Sequence, residues 1–127
     1  MTTSLSLSVA QAAVDAISSS AVLLDDRGCI LTTNRAWRKF SQQNGSAGVE
    51  WEAGGNYLTI CDDATGANSE GAEKMAVGIR SVIRGDAIKF LYVYPCNSST
   101  QERWFIARVS RLDDAEQVRV LISHEEF

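Results

Sequence analysis

Apolar positions recur along this chain at two periods, and the change of period marks its elements. Leu5, Val9, Ala12, Ala13, Ala16 and Ile17 fall at helical spacing with Gln11 and Asp15 off the stripe, which predicts a short amphipathic helix over 8–18. "SAVLLDDRGCILTT" sets two apolar runs around an Asp-Asp-Arg-Gly turn, the pattern of a β-hairpin with Gly28 at a positive φ. Asn34 then stands as N-cap to "RAWRKFSQQN", whose Ala36, Trp37 and Phe40 share a face and which stops at Gly45. The glycine-rich 45–55, with Trp51 alone in it, reads as a loop, and "NYLTICDDATG" as one or two helical turns. "SEGAEKMAVGIRSVIR" is the clearest helix. Ala72, Met75, Ala76, Ile79, Val82 and Ile83 form its stripe, Glu73, Lys74, Arg80 and Arg84 point away, and Gly85 ends it.

The remaining text alternates at period two. "AIKFLYVYP" and "ERWFIARVSRL" make a second hairpin, and "QVRVLISHE" follows a polar turn. Phe105, Ala107 and Val109 share one parity and Val118, Val120 and Ile122 another, so these strands are half-buried and antiparallel. The order predicts an α+β fold: a five-stranded antiparallel sheet with helices packed on one face and a flanking N-terminal helix. Ile88, Phe90, Tyr92 and Tyr94 are assigned to the inner parity. Two phenol hydroxyls then approach the core beside small Ala76 and Ala107, which fits a pocket with polar anchors or a filled core whose hydroxyls reach the rim. The outer parity, Leu91, Val93, Trp104 and Ile106, is too apolar to stay wet and is assigned to a partner surface.

These residues, in this order, resemble the PAS sensory domain family over 18–127, with 1–17 as a flanking helix. "VLLDDRGCILTTNRAWRKF" looks like the family's opening hairpin and first helix, while "GGNYLTIC", "YVYPC", "RWFIARVSRL" and "VLISHEEF" resemble a subgroup found in bacterial sensor histidine kinases and diguanylate cyclases. In that subgroup the hairpin commonly reads Tyr-Pro-Cys-His, then Arg-Trp-Phe, with a closing His-Glu-Asx-Ile-Thr. Here Asn97 replaces the histidine, and the closing motif is "HEEF". The resemblance implies a non-catalytic input module that senses a small molecule or mediates dimerisation. The alternatives are a ligand-free homodimerisation or protein-interaction module and, further off, a small pocket enzyme. It also implies a C-terminal output domain, a kinase or cyclase, beyond Phe127. Haem-binding members usually place a histidine on the long helix, where 70–84 has neither His nor Cys and Met75 is a core side chain. Flavin-binding members carry a cysteine in a Gly-x-Asn-Cys context, where this chain has Gly54-Gly55-Asn56-Tyr57. No cofactor is therefore expected.

The candidate ligand pocket comprises Trp37, Phe40, Tyr57, Met75, Ala76, Ile79, Phe90, Tyr92, Phe105 and Ala107; the candidate dimer surface comprises Leu5, Val9, Ala12, Ala16, Leu91, Val93, Trp104 and Ile106. The small alanines of the N-terminal stripe permit close helix approach, and a homodimer is the expected assembly.

Composition narrows the chemistry. The 127 residues suit one domain, and 45% hydrophobic with 22% charged content is ordinary for a globular protein. A net charge of −4 argues against a nucleic-acid partner; Arg35, Arg38 and Lys39 read as a solvated helix face. Cys29, Cys61 and Cys96 have no CxxC spacing, suit a reducing compartment, and suggest neither a disulfide framework nor a metal site. Cys61 lacks a basic neighbour in sequence and reads as an inert core thiol. The N-terminus has no basic n-region and no apolar run reaches membrane length, so the expected location is cytoplasmic. No nucleophile elbow or phosphate loop is present, and Asp62 and Asp63 read as cap and turn residues. His124, the only histidine, falls on the parity of Val120 and Ile122, so it is inward-facing or hydrogen-bonded at the strand end.

Overall fold

The computed structural model describes residues 3–44, 53–64, 69–95, 103–114 and 117–126. Residues 45–52 of the glycine-rich run, Trp51 among them, and Cys96 and Asn97 lie outside them. The chain order is α1 (Thr3–Ala16), β1 (Ser20–Leu24), β2 (Ile30–Thr33), α2 (Arg35–Asn44), α3 (Tyr57–Asp63), α4 (Ser69–Arg84), β3 (Lys89–Pro95), β4 (Trp104–Asp114) and β5 (Gln117–Glu126). The strands form one antiparallel sheet in the order β2-β1-β5-β4-β3, so β5 returns to the middle and β3 lies at an edge.

Turn chemistry sets the first hairpin. The Asp25 carboxylate accepts from the Arg27 and Cys29 N–H groups, while Gly28 takes φ +86° with Leu58 packed where a Cβ would stand. Asn34 is fully buried and does more than cap. Its carbonyl accepts from Trp37 N–H (2.8 Å) and Ala21 N–H (2.9 Å), and its amide donates to the Ile17 and Ser19 carbonyls. One side chain thus joins the start of α2, the start of β1 and the segment after α1.

The core lies between α3, α4 and the inner face of the sheet: Val22, Leu24, Ile30, Leu58, Ile79, Val82, Val109, Val120 and Ile122 are buried together. Gly78 lets α4 sit close on the sheet, because the Phe90 ring occupies the space a Cβ would take. Arg111 on β4 donates to the Val82 and Ile83 carbonyls (2.8 and 2.9 Å) in the last turn of α4, tying the helix end to the sheet.

Two readings need correction. Ile88 is exposed, not inward, because β3 begins one residue later and the strand alternation does not reach it. Asp62 and Asp63 close α3 rather than lying in a loop, and Arg80, read as pointing away, folds onto Asp62 in a two-bond ion pair (2.7 and 3.0 Å). The helix α1 packs on β2 and α2. It docks through the side opposite to its apolar stripe: Val14 is buried, Gln11 bonds Thr32 and the Thr33 carbonyl, and Asp15 accepts from Arg35 N–H (2.9 Å) and Arg38 (3.3 Å). The neighbouring strand edge and helix start offer hydrogen-bonding groups, so the polar side is the one they hold. Val9, Ala12 and Ala16 face outward.

Candidate functional site

Inside the apolar layer the sheet carries a polar bridge. His124 on β5 pairs with Ala107 on β4, which in turn pairs with Tyr92 on β3. The small Ala107 between them leaves room for Tyr94, one pair along the ladder, to reach across β4. Its hydroxyl lies 2.8 Å from His124 Nδ1. From the helical side Tyr57, in the first turn of α3, brings its hydroxyl to 3.1 Å from Nε2. Asn56 sets that turn by capping it, its side-chain carbonyl accepting from Thr59 N–H.

Aromatic rings wall the bridge. Tyr94 lies nearly parallel to Tyr92 (5.7 Å between ring centroids) and to Phe105 (5.8 Å), and edge-on to His124; Trp37 stands 6.1 Å from the imidazole. Burial pushes the His124 imidazole down to about 4, so at neutral pH one ring nitrogen donates and the other accepts. Burial, with Cys61 and Tyr94 nearby, pushes the Tyr57 phenol well above its usual value. The bridge is therefore an uncharged hydrogen-bonding group, suited to recognition rather than to holding an ion.

No family model matches the chain. It is 38% identical over 123 residues to the uncharacterized 104.1 kDa protein in the hypE 3′ region of Rhodobacter capsulatus, a match spanning 95% of this chain but 13% of that protein's length. Among solved structures, the PAS domain of Bordetella pertussis BvgS superposes with a TM-score of 0.68 over 96% of this chain and 86% of that one, at 12% identity. A PAS domain from a two-component sensor histidine kinase gives 0.57 over 98% of each chain, at 14% identity. The fold is that of a PAS domain.

Within this fold the residues assigned to a pocket fall mostly together. Tyr57, Met75, Ala76, Ile79 and Ala107 belong to the buried core, and Trp37, Phe90 and Tyr92 pack against it. Phe105 is buried under Tyr94. The side chain of Phe40, like that of Leu5, lies outside the described residues. Tyr94 and His124 were not assigned to the pocket, although both were read as inward by parity. What linked them was hidden: their partners are 30 and 67 residues away. The strand order, which sets β3 and β5 on either side of β4, supplies the missing relation.

The outer face carries Leu91, Val93 and Trp104 exposed and Ile106 half-buried, with Val93 paired to Ile106 and Pro95 to Trp104, so the patch is continuous. Cys61 is buried, and desolvation with the Asp62 charge raises its thiol to about 11. Arg80 is a basic neighbour after all, but Asp62 opposes it. A separate surface cleft of about 370 Å³ opens between the first hairpin turn and α4. Its Arg80 and Arg84 are already paired with Asp62 and Asp86, and Asp26 lies beside Arg27, so it offers no net charge to a ligand. Among the described residues no cluster of His, Cys, Asp and Glu could hold a metal, and no helix is long and apolar enough to cross a membrane.

Proposed function

We propose that this chain is a sensory PAS module of a bacterial signal-transduction protein, the non-catalytic input to a histidine kinase or diguanylate cyclase on the cytoplasmic side. The observation that carries this reading is the Tyr57–His124–Tyr94 bridge. A half-buried imidazole bonded from α3 and from β3 sets polar recognition beside an apolar core, on a strand at the centre of the sheet. A ligand that prefers one arrangement of these bonds shifts the population of that strand's end. Of the pocket residues named from sequence, Trp37, Tyr57, Tyr92, Phe105 and Ala107 adjoin this bridge, and none offers a haem or flavin attachment, so on this reading the ligand is a free small molecule and the purified protein is colourless.

Thermal unfolding in the presence of low-mass fractions of bacterial extract tests the reading. A ligand at 100 times its Kd adds about 2.7 kcal/mol to stability, a shift of several degrees. The reading requires a fraction that stabilises the intact chain but not His124→Phe. Stabilisation of both alike, or of neither, contradicts it.

The exposed stripe Val9, Ala12 and Ala16 and the outer patch around Trp104 favour a second property, homodimerisation, in which α1 of one protomer or the sheet of its partner covers them.

A further inference from the structure

The slot that Tyr94 fills has the form of a binding site. Its ring lies between Tyr92 and Phe105, tilted only 15° and 17° from each, stands edge-on to His124 at 82°, and its hydroxyl meets His124 Nδ1 at 2.8 Å. The two tyrosines that hold the imidazole differ in how firmly they are fixed. Tyr57 is buried in the core, whereas Tyr94 is half-buried on β3, an edge strand bonded to β4 alone.

Among the described residues no charged side chain enters the slot. Lys74 and Arg103 stand over the Tyr92 and Phe105 rings, 5.9 and 5.2 Å from their centroids, and each already pairs with a carboxylate, Glu70 and Glu126. A charged occupant would lose its hydration with no counter-charge to replace it. A flat, neutral occupant would stack on the same rings and bond the same nitrogen.

We propose that Tyr94 is an internal stand-in for the ligand: its slot takes an uncharged single-ring molecule bearing a hydroxyl or amide, which replaces the Tyr94 phenol at His124 Nδ1. The proposal rests on the reading of the interior as a ligand site and adds the ligand's class and the residue it displaces. It also supplies a route outward. Phe105, against which Tyr94 stacks, is paired in register with Glu126, and Glu126 is held by Arg103, which lies over the Phe105 ring. Replacing Tyr94 disturbs this group at the end of β5.

The chain's one histidine makes the test direct, since its ring nitrogens give a single set of NMR signals. The intact chain is titrated at pH 7 with p-cresol and benzamide, and in parallel with benzoate and benzylamine. The neutral probes are expected to shift the His124 nitrogens saturably and the charged ones to leave them unmoved. Tyr94→Phe, which keeps the ring but not the competing bond, should bind p-cresol about five-fold more tightly, the worth of one neutral hydrogen bond. Charged probes binding as well as neutral ones, or no saturable shift in either protein, overturns the proposal. If p-cresol binds as described while no extract fraction stabilises the chain, the slot stands and the sensing reading falls. If an extract ligand binds through His124 but no neutral ring does, the slot chemistry alone is wrong.

Discussion

Lowering the pH from 7.5 to 5 should destabilise this protein through one residue. His124 is half-buried, bonded by Tyr57 and Tyr94, and desolvation holds its imidazole down to about 4, against about 6.5 in an unfolded chain. The unfolded state takes up a proton below pH 6.5 and the folded state does not do so until about 4. Stability is thus fully present above pH 6.5, falls through the window between the two values, and has lost the whole contribution below 4. At about 1.4 kcal/mol per pH unit the total is about 3 kcal/mol, of which about 2 kcal/mol is gone by pH 5. That is a large part of the 5–15 kcal/mol typical of a domain. Urea unfolding followed by tryptophan fluorescence at half-unit pH steps measures it, with His124→Gln as the chain that cannot titrate. The Asp15, Asp62 and Glu126 carboxyls are all held below their usual values, so their contributions are lost at lower pH and are common to both proteins. The variant should be less stable at pH 7.5 yet nearly flat down to pH 5. Parallel slopes for the two proteins would refute the neutral imidazole.

Other consequences follow from packing. Gly78→Ala improves helix propensity but sets a Cβ about 2.3 Å from the Phe90 ring, so calorimetry should show a net loss of about 1–3 kcal/mol. Asn34→Ala removes an N-cap and leaves the Ala21 N–H and the Ile17 and Ser19 carbonyls without their partner, and should cost more than about 2 kcal/mol. Trp104→Glu puts a charge into the outer patch and should weaken self-association measured by sedimentation, as should deletion of residues 1–16. An intact chain that sediments as a monomer at every concentration rules out the dimer.

The sheet was legible because strand alternation and turn residues speak locally. Gly28 marks the first hairpin, and the parity of Phe105, Ala107 and Val109 matches their burial. The long helix was equally plain from its stripe. The exposed outer patch also follows from alternation alone. What sequence could not supply was any relation fixed by tertiary order. The face α1 turns inward depends on which groups β2 and α2 present to it, and the contact that Gln11 and Asp15 make there has no mark in the hydrophobic spacing. Gly78 carries no local mark of the Phe90 ring that requires it. Tyr57, Tyr94 and His124 are each ordinary in their own segment and acquire meaning only when β5 lies between β1 and β4.

The central claim is that occupancy of the interior is felt at the end of β5. Amide hydrogen exchange measures this directly, on the intact chain with and without the extract fraction that stabilises it. The account predicts that protection changes at Ser123–Glu126 and at Tyr94 while the β1–β2 turn keeps its rates. A change spread evenly over the sheet, or one confined to the hairpin turn with β5 unmoved, contradicts it.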